Sequence, residues 1–248
     1  MSVPAGTAIG HEWRWRAPFW CVTGLGIVTM IAIAVLVHPV QTGGPSHFKT
    51  ELAAVRRLDV WIALFTTVAY SASLFVVLTY IAPILLDVTG FTPRQVTISL
   101  FVFGAGLVLG SNLGGRLADI ALMPAQIAIL AALTLVTLVF TWTMGGAIPA
   151  YVTLFVWGTV SFANISPLQT RVVTTAKGAP TLASSLNIAA FNLGNAGGAA
   201  LGGLLIHDGF GYAALTIAGA AIAGGGMLLA LWGAARDRSA VAIAAAGQ

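Results

Sequence analysis

Long apolar runs, each about the length of a helix that crosses a bilayer, alternate along this chain with short polar punctuation. An α-helix rises 1.5 Å per residue, so about 20 apolar residues span the hydrocarbon core. Ala17–Val37 is a charge-free run of that length. Val60–Leu86 is longer, with room to tilt or kink, and carries Pro83 near its end. Val96–Gly115 is the third run. No charge occurs between Ile120 and Thr170, a stretch too long for one crossing. The turn signal Gly145-Gly146-Ala147-Ile148-Pro149 divides it into Ala125–Met144 and Pro149–Ile165. Leu182–Ile206 and Tyr212–Ala235 complete the pattern. The predicted fold is all-α: a polytopic membrane helical bundle of seven transmembrane helices. Four segments follow: a first span within residues 1–37, a polar linker over 38–59, a six-helix bundle over 60–235 and a cytoplasmic tail over 236–248, of which 239–248 is expected to be disordered.

Within the runs, small and polar residues recur at helical spacing. Gly106, Gly110 and Gly114 share one face of the third span, as do Ala190, Gly194, Gly198 and Gly202 in the sixth. Residues four apart lie on the same side of a helix, so each series is a smooth stripe that a second backbone can approach closely. In the sixth span Ser184, Asn187, Phe191, Asn192 and Asn195 fall within an arc of roughly 140°. An amide facing lipid has no partner, so this arc is expected to face the bundle interior or a wet cavity. Two readings stay open for it: interhelical hydrogen bonding that glues helices together, or one wall of a solute path. Gln169 and Arg171 fall at the far end of the fifth span, where an arginine anchors the interface and sets topology. Tyr80 sits just before Pro83, as a packing or interfacial residue or as a contact on the path.

Composition changes the picture only by exclusion. The chain is 58% hydrophobic and 7% charged, too few polar side chains to cover a soluble domain of 248 residues. The net charge of +4 is scattered singly, with no basic cluster of the kind that binds nucleic acid. Cys21 has no partner cysteine, and His11, His38, His47 and His207 are too widely spread for a ligand motif, so neither metal nor cofactor is expected. There is no His-Glu-x-x-His helix, no acidic pair within a span and no Gly-x-Ser-x-Gly elbow, which argues against a membrane enzyme. A retinal protein needs a lysine within a span, whereas Lys49 and Lys177 lie in loops. With the amino terminus outside, the inner loops hold Lys49, Arg56, Arg57, Arg116, Arg171, Lys177, Arg236 and Arg238, and the outer segments only Arg14, Arg16 and Arg94. That asymmetry has the positive-inside sense and places the carboxy terminus in the cytoplasm.

The third span ends Gly114-Gly115-Arg116-Leu117-Ala118-Asp119, and the sixth ends Gly202-Gly203-Leu204-Leu205-Ile206-His207-Asp208. These would be the middle helices of two three-span units of opposite topology, an inverted repeat of the sort transporters use.

Three segments carry a family resemblance. Val3-Pro4-Ala5-Gly6-Thr7-Ala8-Ile9-Gly10 with Trp15-Arg16-Ala17-Pro18-Phe19-Trp20 is similar to a fifth helix running into a sixth. Gly110 through Asp119 is similar to a Gly-x-Leu-Ala-Asp loop motif, and Thr170-Arg171-Val172 with Gly178 through Gly203 to a tenth-to-eleventh helix region. At these residues the chain resembles the major facilitator superfamily, specifically bacterial drug and sugar efflux permeases of the proton-antiporter type. The resemblance implies helices six to twelve of a twelve-helix protein of the inner membrane, with the amino-terminal half in the same or another chain. It implies a small-molecule solute moved between two rocking halves, in exchange for protons. Ser184, Asn187, Asn192, Asn195, Tyr80 and Gln169 become candidates for the solute path, and Gly115, Arg116, Asp119 and Arg171 for gating. Ile120-Ala121-Leu122-Met123 stands where the loop motif carries basic residues, which weakens any lock built on Asp119. None of the seven acids lies deep in a span, so no coupling group is assigned. The competing expectations are a fragment without activity and a seven-span receptor.

Overall fold

A computed structural model describes residues 17–36 and 56–246. The amino-terminal segment that carries part of the family resemblance, and residues 38–55 of the predicted linker, lie outside the described residues. The chain divides into two compact units, residues 1–47 and 48–248. In the first, α1 (Ala17–Leu36) is an apolar helix whose side chains from Trp20 to Leu36 are nearly all exposed. The second holds α2 (Leu58–Leu78), α3 (Pro93–Thr143), α4 (Ala147–Ala163), α5 (Ile165–Thr175), α6 (Pro180–His207) and α7 (Tyr212–Ala246). The described residues form an all-α membrane bundle.

At 51 residues α3 would be about 75 Å long if straight, more than twice the thickness of a bilayer core. It is two spans joined by a bend at Ala121, where the backbone leaves helical geometry (φ −158°, ψ 90°). With that bend the second unit supplies six crossings, and α1 adds a seventh. Thr92 opens α3 with a reciprocal capping box to Gln95, followed by Pro93 in the first turn. Gly146, in extended conformation, separates α3 from α4 within the predicted turn.

Three helix breaks share one cause. Proline lacks an N–H and its ring crowds the carbonyl four residues earlier, so the helix fails there. Ala121 precedes Pro124 by three residues. Tyr80 (φ −109°, ψ 13°) precedes Pro83 by three, and beyond it the chain continues through a turn at Ile81–Pro83 and a π-helical turn at Ile84–Val88. Asn164 precedes Pro167 by three and separates α4 from α5. The predicted fifth span ends at Ile165; the chain instead continues helically to Thr175, so Gln169 and Arg171 ride on a separate short helix. At the other end of the chain, α7 passes Ala235 and runs to Ala246, in place of a disordered tail from 239. The alanine-rich sequence there has high helix propensity.

Both glycine stripes are interfaces, and they are the same interface built twice. A Cβ on Gly106, Gly110 or Gly114 would lie 2.3, 2.0 or 2.0 Å from the carbonyl oxygens of Phe155, Thr159 and Ala163 in α4. On Gly194, Gly198 and Gly202 it would lie 2.5, 2.4 and 2.9 Å from those of Val68, Ala72 and Val76 in α2. In each case the residue numbers rise together, so the paired helices run parallel. The middle helix of one triplet (α2 with the two limbs of α3) packs on the first helix of the other (α4–α5, α6, α7), and the reverse. This reciprocity is the inverted repeat hinted at by the glycine echo.

Between these contacts lies a core in which Trp157 stacks on Phe140 and tilts against Phe103, with Leu130, Leu133 and Leu154 fully buried. The Trp157 indole donates to the Thr137 hydroxyl at 3.1 Å, so a large aromatic is buried without an orphan donor. Trp61, Phe65, Leu135, Trp142 and Val152 are exposed, as expected of side chains that face lipid.

Candidate functional site

The polar arc of α6 meets α2 and α5 in one hydrogen-bonded chain. Asn187, fully buried, accepts from the Thr67 hydroxyl at 2.8 Å and donates from its amide nitrogen to Gln169 Oε1 at 2.6 Å. Gln169 in turn donates from Nε2 to the Ser184 hydroxyl at 2.9 Å. Three helices are thereby tied by side chains whose amides would otherwise be orphaned in an apolar medium. One helical turn and more above, Ser71 bonds both Asn195 Oδ1 and the Phe191 carbonyl, the latter at 2.9 Å. Tyr70 donates to the Ser161 carbonyl and packs edge-on against Phe191, ring centres 6.0 Å apart.

Gln169 also borders open space. A cleft of about 400 Å³ lies between the first limb of α3 and the α4–α5 segment, lined by Ser111, Phe162, Ile165, Ser166, Gln169 and Thr170. Its walls are apolar and aromatic with a few hydroxyls and one amide, and no lining residue is charged. Such a surface matches an uncharged molecule that has an apolar body and a few hydrogen-bonding groups.

The structure sorts the predicted residues. It brings Ser184, Asn187 and Gln169 together, and holds Asn195 separately through Ser71. Asn192 sits at the edge of the same arc but is exposed, and its amide donates back to the Ile188 carbonyl of its own helix at 2.9 Å. Asn192 therefore lies on the open side of α6 and not in the bundle interior, because 140° is wider than the buried face of α6. Tyr80 donates to the Ala199 carbonyl at 3.0 Å and its ring lies over Gly202, so it closes the α2–α6 contact away from the cleft. Among the gating candidates, Arg116 and Asp119 are exposed and form no ion pair among the described residues. Gly115 likewise has open space where a Cβ would stand. Arg171 is different: it is mostly buried and pairs with Asp237 at 2.8 Å. Sequence reasoning missed Asp237, placed in a tail, and missed Thr67, Ser71 and Ser111. The spacing of Thr67, Ser71 and Leu74 along one face of α2 was the available signal for the first two. Among the described residues no group of three acids, histidines or cysteines gathers as a metal site would.

Asn164, at the α4–α5 break, is fully buried with neither amide atom bonded to protein, and the Ser161 hydroxyl one turn earlier is equally unpaired. Removing an unpaired buried amide relieves its desolvation cost, which offsets the small void left behind, so Asn164→Ala is expected to leave thermal stability in detergent nearly unchanged. A loss of more than about 1 kcal/mol would contradict this.

The fold and these polar helices define a class, and comparison with known proteins agrees. The family model described as Major Facilitator Superfamily matches residues 1–180, and the chain belongs to that superfamily. It is 38% identical over 243 residues to the inner membrane transport protein YdhP of Escherichia coli (strain K12), covering 98% of this chain and 62% of that protein. It is 36% identical to a chloramphenicol resistance protein of Streptomyces lividans over 79% of this chain and 51% of that one. A probable sugar efflux transporter of Helicobacter acinonychis (strain Sheeba) is 30% identical over 86% of this chain and 54% of its own length. The chain thus spans about three fifths of the length of the Escherichia coli relative and about half that of the other two.

Proposed function

We propose that this protein takes part in secondary transport, expelling a small uncharged solute across the inner membrane. The observation that carries the reading is Gln169, which is at once a wall of the open cleft and a member of the buried chain joining α2, α5 and α6. A solute that accepts from Gln169 Nε2 competes with Ser184, and one that donates to Oε1 competes with Asn187. Its arrival therefore perturbs the contacts that hold three helices together, which is the differential contact alternating access requires. Ser111, Ser166 and Thr170 supply further neutral partners, and Phe162 an apolar face. The names of the relatives, chloramphenicol resistance and sugar efflux, support solutes of this chemistry and an outward direction.

The six-helix unit is taken to work opposite a second unit, in the same or another chain, with the cleft facing the contact between them. The basic residues set the unit with Arg57, Arg171 and Arg236 on the cytoplasmic side. Exchange for protons is the coupling proposed, and no proton-carrying group is assigned to the described helices.

Accumulation of radiolabelled chloramphenicol in expressing cells is the first measurement, with glucose and lactose as further probes. Expression is expected to lower accumulation relative to the empty vector for at least one probe. Gln169→Ala should abolish that difference at equal membrane abundance, while Tyr80→Phe should preserve it. Full efflux with Gln169→Ala would remove the cleft from the path, and no efflux of any probe would sink the reading.

A further inference from the structure

At the break between α4 and α5 the described residues hold their densest unmet demand for hydrogen bonds. Three buried side-chain atoms there, Asn164 Oδ1, Asn164 Nδ2 and Ser161 Oγ, have no partner in the protein. Ser73, Gln126 and Thr175 contribute a single such atom each. Three residues apart, Ser161 and Asn164 share one side of the helix, and both are fully buried. Phe162, Ile165 and Ser166 face the cleft from the other side. The buried side meets α2, where the Tyr70 hydroxyl donates to the Ser161 carbonyl. The backbone adds to the demand. The Asn164 N–H turns to the Ser161 carbonyl at 3.4 Å, so the Val160 carbonyl loses the donor that a continuing helix would supply.

Burying one polar atom unpaired costs at least as much as ordering a water molecule beside it, and here three such atoms stand together. An occupied site is therefore favoured over a dry one. What occupies it follows from the mix of groups. The amide nitrogen only donates, Oδ1 only accepts, and the hydroxyl does both. A metal cation would satisfy the oxygens and leave Nδ2 orphaned. It would also bring a charge into the bundle core, where α4 and α5 contain no acid and α2 only Asp59 at its inner end. An anion would serve Nδ2 and desert Oδ1. Water donates and accepts, and two to four polar partners are what a buried water needs.

We propose that Asn164 and Ser161 form an internal water site, in which bound water bridges the α4–α5 break to Tyr70 of α2. The Tyr70 oxygen, its proton given to the Ser161 carbonyl, keeps lone pairs with which to accept from that water. Water here takes the place of backbone bonds that the break removes, the way a membrane helix tolerates an interruption in a medium without solvent. The site lies behind the cleft wall, on the opposite side of the helix from Phe162, Ile165 and Ser166. It is a property of the helices alone and goes beyond the transport reading, so its test needs no solute.

Water offsets the desolvation of the amide only in part, since ordering it costs entropy, so Asn164→Ala still changes stability little and a melting point is no test. X-ray radiolytic footprinting of the full chain in lipid nanodiscs reads the water itself. Radiolysis turns a bound water into a hydroxyl radical that attacks the side chain beside it, so a buried ring is oxidised only where water touches it. Tyr70 and Phe140 are both 1% exposed, and Phe140 stacks on Trp157. Corrected for intrinsic ring reactivity, Tyr70 is expected to be oxidised about tenfold faster than Phe140, the contrast between a wetted and a dry core position. Ser161→Ala combined with Asn164→Val removes every unpaired side-chain group and should bring Tyr70 down to the rate of Phe140. Phe140 itself should keep its slow rate, which shows that the bundle stays closed. Asn164→Val alone should slow Tyr70 by about threefold, and it becomes the deciding comparison if Phe140 accelerates in the double variant. A wild-type Tyr70 rate no faster than that of Phe140 would overturn the site. So would a fast rate that survives these variants, because the water would then come from the Thr67–Asn187–Gln169 chain. A Tyr70 rate that falls when sodium chloride replaces choline chloride would give the place to a cation and overturn the water site as well.

Discussion

Gly110→Ala is expected to be, with Gly114→Ala beside it, one of the two most damaging single-methyl changes among the described residues. The added Cβ would stand 2.0 Å from the Thr159 carbonyl oxygen, 2.8 Å from its carbon and 3.0 Å from its Cα. All three atoms are backbone, so no side chain can rotate away. The first limb of α3 would have to retreat from α4 by about 1 Å, and the Gly106 and Gly114 contacts would open with it, because one rigid helix carries all three. In a membrane this close packing is itself the main attraction between helices. The expected loss is about 3 kcal/mol, at the upper end for overpacking. Thermal unfolding in detergent, followed by tryptophan fluorescence, should show it as a clearly lowered midpoint. Gly115→Ala is the matched comparison: five residues along the same helix, with open space at the Cβ position, it should be neutral or slightly stabilising through helix propensity. Equal midpoints for the two variants would refute the backbone contact.

Asn187→Ala is expected to have the second largest effect. It deletes two interhelical bonds, to Thr67 at 2.8 Å and to Gln169 at 2.6 Å, and leaves Gln169 Oε1 without its partner. Thr67 keeps a bond to the Ala63 carbonyl at 3.2 Å, so it is only partly orphaned. Interhelical bonds in membranes are worth about 0.6 to 2 kcal/mol each, and the unpaired amide and small void add to this. A loss of about 2–3 kcal/mol follows. Asn192→Ala, from the same arc, removes only a bond within its own helix and should change stability by less than about 0.5 kcal/mol. The same midpoint for both variants would mean that the Thr67–Asn187–Gln169–Ser184 chain is not what joins the three helices. Because Gln169 lines the cleft, Asn187→Ala is also expected to alter the range of solutes expelled, whereas Tyr80→Phe should not.

Much of this was written in the linear pattern. The apolar runs gave the spans, since twenty residues without charge have few other stable fates, and glycine at every fourth position foretold close approach. Pro83 marked one helix break in the sequence, whereas the breaks before Pro124 and Pro167 emerged only in the structure, although a missing N–H disrupts a helix in any environment. The polar arc of α6 announced that some of its amides face inward.

What sequence spacing cannot give is the rotation of a helix against its neighbours, and every remaining feature depended on that. The same arc put Asn187 inside and Asn192 outside; only the seating of α6 on α2 decided which. Arg171 found Asp237, 66 positions away, because α7 continues beyond its apolar run and brings that carboxylate beside α5. Asp119, the acid most conspicuous in the sequence, was left exposed and without an ion pair among the described residues. Periodicity fixes angles within one helix, whereas contacts between helices are set by shape and polar pairing across the whole bundle.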